Sequence, residues 1–497
     1  MKSRKLLTVL TALLTVSMIG CGTETSGSSA KDIATKDPDA PAGEAVETDT
    51  ETEEEGGLPL LLPEDLDLNG RVLNVWFSPT VSAYNITVYE STGETVDDAL
   101  VKQKKAVEDL LNCAFTFFIG AETNINAAQK SYLASDYAYD FLNCAQYAAQ
   151  SFVSQGIFYD FSDSEYIHLD SPWWNEKYIK EAMIGDDGMY FMIGDMDLGA
   201  IRNASALACN IDVLSGYDVT EDSLYDEVFD GSWTLDRFLE ISSQIYEDVN
   251  GNAERDMGDL FGVVCRSCAD IDHWLMDSGV RFTQRDGDGI PYYVVNNENT
   301  VNAIEKIYRI YWENNGMFYE EGAPAGVMFS EKRAAFMKAG ISIGESMRDA
   351  DIVYTVIPMP KYDASVTEYR SLIHDSVNVN CMLENTPDPE EICAVFEAMA
   401  YYGYKYVFPT YYEDALKVKY SHTDNSRAIR MIDLIHDSMT TDFAYIFNSA
   451  LGGIALDFGR DLIGNDKSKN FSSLYTKKEK SYINKMKNLR EEWEKNT

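Results

Sequence analysis

RVLNVWF at Arg71–Phe77, TVDDALVKQKKAVEDLLN at 95–112 and AFTFFI at 114–119 decide the fold. The outer two segments are short and rich in β-branched and aromatic residues, as strands are. The middle one repeats apolar residues at helical spacing and is charged between them. AQKSYLAS then reads as helix, YDFLNC as strand, and AQYAAQSFVSQG as a helix closed by Gly156. Strands alternating with amphipathic helices imply a largely parallel sheet. Further on, PWWNEKYIKEAMI predicts a helix, GMYFMIGDMD a strand entering a turn, and SALACNIDVL a strand. WTLDRFLEISSQIYEDV predicts a helix capped by Thr234, LFGVVCRS a strand, and FSEKRAAFMKAGISIGES a helix followed by a strand. The C-terminal third is mostly helical in pattern, and no internal repeat is visible.

The chain begins with a basic segment (Lys2, Arg4, Lys5) and an apolar run from Leu6 to Ile19, too short for a permanent membrane helix. The run ends in Met18-Ile19-Gly20-Cys21, a small residue followed by cysteine, as in bacterial lipoprotein boxes. The expectation is a signal peptide over 1–20 and lipid on Cys21. Residues 21–57 carry almost no large apolar side chains and many acidic ones, which predicts a disordered acidic tether.

The remaining stretch is too long for one core and long enough for two lobes. The formal net charge of −41 argues against nucleic acid and against charge-driven binding to anionic lipid. With Cys21 lipidated, seven of the eight cysteines remain, so at least one is unpaired within the chain. Cys265-Arg266-Ser267-Cys268 is a CxxC, but neither a second CxxC nor a histidine pair accompanies it, so partly buried structural cysteines are the expectation.

DVNGNAERDMGD, starting at Asp248, places oxygen-bearing side chains Asp248, Asn250, Asn252, Asp256 and Asp259 at positions 1, 3, 5, 9 and 12 of a calcium loop. Glu254 offers a backbone carbonyl at position 7. Two departures weaken it: Ala253 stands where a sensor loop needs glycine, and Asp259 is one methylene shorter than the usual bidentate glutamate. A structural Ca2+ is expected and not a sensor. A solvated Asn/Gly/Asp turn is the competing reading. No cofactor for catalysis is indicated.

Ordered blocks along the body carry a resemblance: LDLNGRVLNVW, GETVDDALVKQKKAVEDL, SQGIFYDFSD, PWWNEKYIKEAMIGDDGMYFMIGD, GSWTLDRFLEISSQIYEDVNGN, FSEKRAAFMKAGISI, VIPMPKYD, and YYEDALKVKYS with MIDLIHDSM. In this order they resemble family 1 extracellular solute-binding proteins, the lipoprotein receptors of ABC-type sugar importers in Gram-positive bacteria. The resemblance implies an α/β, two-lobed, periplasmic-binding-protein-like fold of type II style, with a ligand cleft between lobes joined by a multi-strand hinge. It implies one lobe from 58–198 plus 376–425 and another from 199–375 plus 426–497. Its partners would be a small-molecule solute (an oligosaccharide first), ABC permease subunits, and the membrane through the Cys21 anchor. Nucleic acid is not among them, and a monomer is expected at the extracellular face.

Sugar clefts pair flat aromatic rings, which stack on the C–H face of a pyranose, with fixed donors and acceptors for its hydroxyls. Ligands of α/β sheets meet the loops after strand C-termini. That selects Tyr84, Gln146, Tyr147, Asp195, Asp197, Asp272, His273, Trp274, Glu345 and Arg348, with His374 and Asp375 at the second crossing between lobes. Trp173 and Trp174 are read as helical neighbours pointing about 100° apart, so that one packs and one, Trp174, faces the cleft.

Two rival functions come from other classes. A glycoside hydrolase would need two carboxylates facing across a sugar, and the chain has no GxSxG, HExxH or P-loop signature. A receptor for a peptide or amine is the stronger rival, since an acidic protein suits a cationic ligand.

Overall fold

The computed structural model describes residues 58–78, 86–120, 125–185, 188–417 and 425–496. The predicted leader, the tether with Cys21, and Tyr84 lie outside the described residues.

Two sheets organise the body. In the first, Arg71–Phe77 runs parallel to Cys113–Ile119, with Arg71 opposite Cys113, and parallel to Phe141–Ala145 on its other side. Asn378–Cys381 joins the far edge antiparallel, returning from much later in the chain. The helix Thr95–Leu111 makes the crossover, burying Val96, Leu100, Val107 and Leu111 on one stripe. Asn112 ends it in the left-handed conformation, with its N–H bonded to the Glu108 carbonyl.

The second sheet runs in the order Tyr354–Ile357, Ala206–Asn210, Ala334–Ala339, Leu260–Cys265, Tyr246–Glu247, and Met317–Tyr319 also pairs with Leu260–Cys265. Ala206–Asn210 is antiparallel to both its neighbours. The helix Leu235–Ser242 is capped as expected: the Thr234 side chain accepts the Arg237 N–H at 3.4 Å. A side chain at Gly262 or Gly316 would meet the Ser242 carbonyl oxygen at 2.0 or 1.7 Å, so glycine lets both backbones reach the helix end. Among the described residues no helix is long and apolar enough to cross a membrane.

Some elements differ from expectation. AAFMKA, read as helical, is the strand Ala334–Ala339; it lies between two other strands, and that pairing overrides its weak β-propensity. The strand expected over AGISIG, 339–344, gives way at its end to a short helix, Ile343–Ser346. GMYFMIGDMD forms isolated bridges, Trp174 to Gly194 and Met192 to Asn380, and no regular strand. Cys265 is buried, Cys268 is partly buried, and both are free thiols.

Candidate functional site: a polar cluster at the crossing between sheets

The chain passes between the sheets along two adjacent segments. On the first, Asp197 accepts the Gly199 N–H at 2.7 Å and starts the helix Gly199–Asn203. On the second, Ile373 bridges Ala204, and the His374 N–H donates to the Asn203 carbonyl at 3.2 Å. The Ser376 hydroxyl donates to Asn203 Oδ1 at 3.3 Å. These bonds fix the backbone of His374 and Asp375 where the chain returns to the first sheet.

Around them, side chains from distant parts of the chain converge. Arg460 lies 2.5 Å from Asp272 Oδ2 and 3.3 Å from Asp375 Oδ2 through the same Nη2. Its Nε also donates to Asp272 Oδ2 at 2.6 Å. Asp375 is 3.0 Å from His374 Nδ1. The rings of His273 and His374 stack at 5.5 Å. From the first sheet, the Gln146 N–H donates to the Val377 carbonyl at 2.9 Å, and the Tyr178 hydroxyl donates to Gln146 Oε1.

The cluster is layered. Asp272, His273 and Gln146 are fully buried. The side chains of His374, Asp375 and Arg460 keep 25, 17 and 21 % of their surface in solvent. Below this ridge, Asp272 Oδ1, both His273 ring nitrogens and Gln146 Nε2 have no hydrogen-bond partner. Such atoms are costly unless something satisfies them.

Burial sets the electrostatics. It raises the Asp272 carboxyl to about 7, against the pull of Arg460. It lowers His374 to about 4, although Asp375 opposes it, and His273 well below its ordinary value. Burial would also weaken Arg460, but Asp272, Tyr445 and Asp375 outweigh it and hold the guanidinium charged. At neutral pH the site therefore offers neutral imidazoles and one fixed cation beside the carboxyl oxygens of Asp272 and Asp375: donors and acceptors of the kind hydroxyls need. Both carboxylates sit on the same guanidinium, and do not face each other across a gap as acid and base.

The other predicted residues have separate placements. Tyr147 is partly buried next to Gln146. Glu345 accepts from Arg202 at 2.9 and 2.7 Å and from the Tyr411 hydroxyl at 3.1 Å. Arg348 is exposed and pairs with Glu94 at 3.4 Å. Asp195 and Asp197 are buried beneath the first crossing, where Asn143 donates to Asp197 at 2.9 Å, and burial raises both carboxyls. Trp274 is core, its ring 4.7 Å from Phe238.

Trp173 and Trp174 are not helical neighbours but precede the helix Glu176–Ala182. Both indoles point to one carboxylate: Trp173 Nε1 donates to Glu397 at 3.1 Å and Trp174 Nε1 at 2.8 Å. Trp174 also lines a cavity of about 290 Å3 with Asp195, Phe408, His436 and Met439. Sequence reading missed Arg460, Tyr178, Arg202 and Tyr445. None stands in a motif, and their partners lie far off in the chain.

In the loop from Asp248, the Asp248 carboxylate accepts from the Gly251 and Ala253 N–H groups at 2.7 and 3.0 Å. Ala253 adopts φ +62°, the left-handed turn that glycine would make easily. The Asn250 and Asn252 amides donate to Asp256 at 3.0 and 2.6 Å. Asp259 is fully buried with Oδ1 unpartnered. Among the described residues no three His, Cys, Asp or Glu side chains are grouped to hold a metal ion.

No family model matches the chain. No curated protein matches it either. Solved structures do match. An ABC substrate-binding protein of Listeria monocytogenes in complex with cycloalternan aligns at TM-score 0.53 and 12 % identity, over 85 % of this chain and 99 % of that one. A cyclo/maltodextrin-binding protein complexed with maltotetraose gives 0.55 and 10 %, over 84 and 97 %. The galacto-N-biose/lacto-N-biose I-binding protein of an ABC transporter from Bifidobacterium longum, with lacto-N-biose, gives 0.52 and 9 %, over 83 and 98 %. The chain thus has the two-lobed α/β fold of type II solute-binding proteins.

Proposed function

We propose that this protein is the extracellular solute receptor of an ABC importer and captures a carbohydrate, first an oligosaccharide, between its lobes. The observation that carries the reading is the layered array of Asp272, His273, His374, Asp375 and Arg460 beside Gln146 at the crossing between the sheets. Its outer groups reach solvent, and its inner ones hold unsatisfied donors and acceptors. Ring hydroxyls would meet the outer groups His374, Asp375 and Arg460, and a ligand touching both lobes would favour their closed arrangement. Tyr84 and Tyr147 are assigned as ring platforms. The likeness in fold to sugar-bound receptors supports the choice of carbohydrate. The shared guanidinium partner of Asp272 and Asp375 supports binding over hydrolysis.

The lobes are assigned as 58–198 plus 376–425 and 199–375 plus 426–497. Residues 21–57 would tether the body to the membrane through lipid on Cys21, leaving a monomer free to deliver cargo to permease subunits. Cys21→Ser should release the protein into the soluble fraction; retention at the membrane would refute the anchor. The loop Asp248–Asp259 would hold a structural Ca2+ through Asp248, Asn250, Asn252, Asp256 and Asp259 with the Glu254 carbonyl. The buried, unpartnered Asp259 Oδ1 supports this, provided the two Asn amides turn their oxygens inward.

Thermal-shift and calorimetric screening against oligosaccharides, peptides and amines tests the central claim. A saturable response to an oligosaccharide, lost in Asp375→Ala, is the expected result. A response confined to peptides or amines would replace the carbohydrate. Turnover of an oligosaccharide to products would overturn the receptor reading.

A further inference from the structure

A cavity of about 300 Å3, separate from the His374 cluster, gathers cations in a chain of net charge −41. Lys177 and Lys180 from the helix Glu176–Ala182, with Arg281, Arg285 and Arg370, line it against only Glu181 and Glu368. Lys180 pairs with Glu176 at 2.5 Å, and Arg281 with Glu181. Arg281 Nε also lies 3.7 Å from Asp442, which already accepts the Thr283 hydroxyl at 2.8 Å and the Ala444 N–H at 2.9 Å. Lys177 and Arg285 donate to backbone carbonyls, of Asp437 at 2.6 Å and of Met183 at 2.7 Å.

Arg370 is the informative member. Its Nη2 reaches the Thr441 carbonyl only at 3.4 Å, and its Nε is buried without a partner. Among the described residues no carboxylate lies within ion-pair distance of it. Burial works against its charge, with Arg281 adding to the effect and Asp442, Asp277 and Glu181 opposing it from further away. Arg370 is half-buried; a guanidinium does not shed its proton, so one drawn partly out of water gains from a counter-charge. Its planar fork matches two oxygens of a carboxylate or phosphate. The hydroxyl-bearing residues Ser438 and Thr440 line the same cavity. Arg370 directly precedes Ser371–Leu372, which pairs with Met439–Thr440 at the crossing.

We propose that this cavity is a second binding site, for a small oxyanion of the phosphate or carboxylate class, with Arg370 as its floor and Lys177 at its rim. The anion would bridge the helix Glu176–Ala182 to the paired strands Ser371–Leu372 and Met439–Thr440. It needs no carbohydrate and stands whether or not the cluster at His374 binds one.

The test is calorimetry and melting of the full folded chain with inorganic phosphate, then with citrate, at constant ionic strength set by sodium chloride. The expected result is saturable binding of at least one oxyanion and a rise in melting temperature that chloride alone does not give. Arg370→Met should weaken it roughly tenfold or more, as loss of a charge-assisted hydrogen-bond pair does. Lys177→Met with Lys180→Met changes a partly exposed rim, keeps the floor, and should weaken binding less while leaving the fold intact. Phosphate binding without citrate assigns the phosphate class, and the reverse assigns the carboxylate class. No saturable heat with either anion, or undiminished binding in both variants, would overturn the proposal.

Discussion

Arg460 and Asp272 are 188 residues apart in the chain and 2.5 Å apart in space. Their pairing joins the C-terminal segment to the helix Asp270–Asp277 of the second sheet, and through Asp375 it reaches the segment that returns to the first sheet. One guanidinium thus holds three parts of the chain at the place where any rearrangement between the sheets must act.

Arg460→Met should be costly. Asp272 is fully buried, and removing its cation leaves an uncompensated carboxyl. A loss of about 3 kcal/mol is expected from breaking one side of such a pair. Asp272→Asn in the same chain should recover part of it, because the buried carboxyl, which without its cation must take up a proton or stay charged and unpaired, is then gone. Urea unfolding of the two single variants and the double variant measures this. A double variant no more stable than Arg460→Met would show that the pair is not the unit.

Glu397 should matter for a different reason. Its side chain is fully buried and accepts from two indoles, Trp173 and Trp174, and from the His168 N–H at 3.3 Å. Glu397→Leu strands these donors and should cost about 3 kcal/mol, at roughly 1–3 kcal/mol for each unsatisfied group. Glu397→Gln keeps one acceptor and should cost clearly less. Equal losses in the two variants, read by urea unfolding, would point to packing and away from the hydrogen bonds.

The first sheet was legible because its strands and crossover helix alternate within short reach of one another, each with its own period. Arg71–Phe77 and the helix from Thr95 came out nearly to the residue. Ala334–Ala339 was not legible: its strand character comes from two neighbouring strands, which no local pattern reports. The candidate cluster divides in the same way. His374, Asp375, Asp272, His273 and Gln146 follow from the rule that ligands meet strand ends and crossings. Arg460 arrives from a helical turn far downstream, and only the packed chain shows which carboxylates it meets. Trp174 followed the helical-neighbour argument into a wrong geometry, since the helix begins only at Glu176.

Acid titration should separate the buried groups of the cluster. Asp272, and the fully buried Asp277 at the end of the same helix, titrate at about 7 in the folded chain, above the carboxyl value of 3.8, so folding takes up their protons and on their account stability rises as pH falls from about 7 toward 4. His374 works the other way. Its folded value of about 4 lies below 6.5, so the unfolded chain binds the proton first, and its contribution is lost as pH falls from about 6.5 to 4. The two effects oppose each other in that window, and buried His273 acts with His374. His374→Gln removes one opposing group. Its melting temperature relative to the native protein should therefore climb steadily from pH 6.5 down to 4. A difference independent of pH would mean that His374 has no depressed titration in the fold.

Calcium should stabilise the second lobe without touching the cluster at His374. In the loop Asp248–Asp259, Asp248 gathers the Gly251 and Ala253 N–H groups and Ala253 lies in the left-handed region. In this arrangement the Asn250 and Asn252 amides supply the positive dipoles that face Asp256. A cation would take over that role, with both amides turned to offer oxygen, and would give the buried Asp259 Oδ1 a partner. The short Asp259 side chain and the non-glycine turn at Ala253 predict weaker affinity than a sensor loop. A lone loop without a paired helix–loop–helix also lacks the means to open on binding. Millimolar calcium should raise the melting temperature by a few degrees over chelator, the size of shift that mass action gives when ligand stands well above its dissociation constant. Asp248→Ala should abolish the rise, and solute affinity should be the same with calcium and with chelator. No rise in the native protein would leave the loop a hydrogen-bonded turn, and a calcium-dependent change in solute affinity would contradict the separation of the two sites.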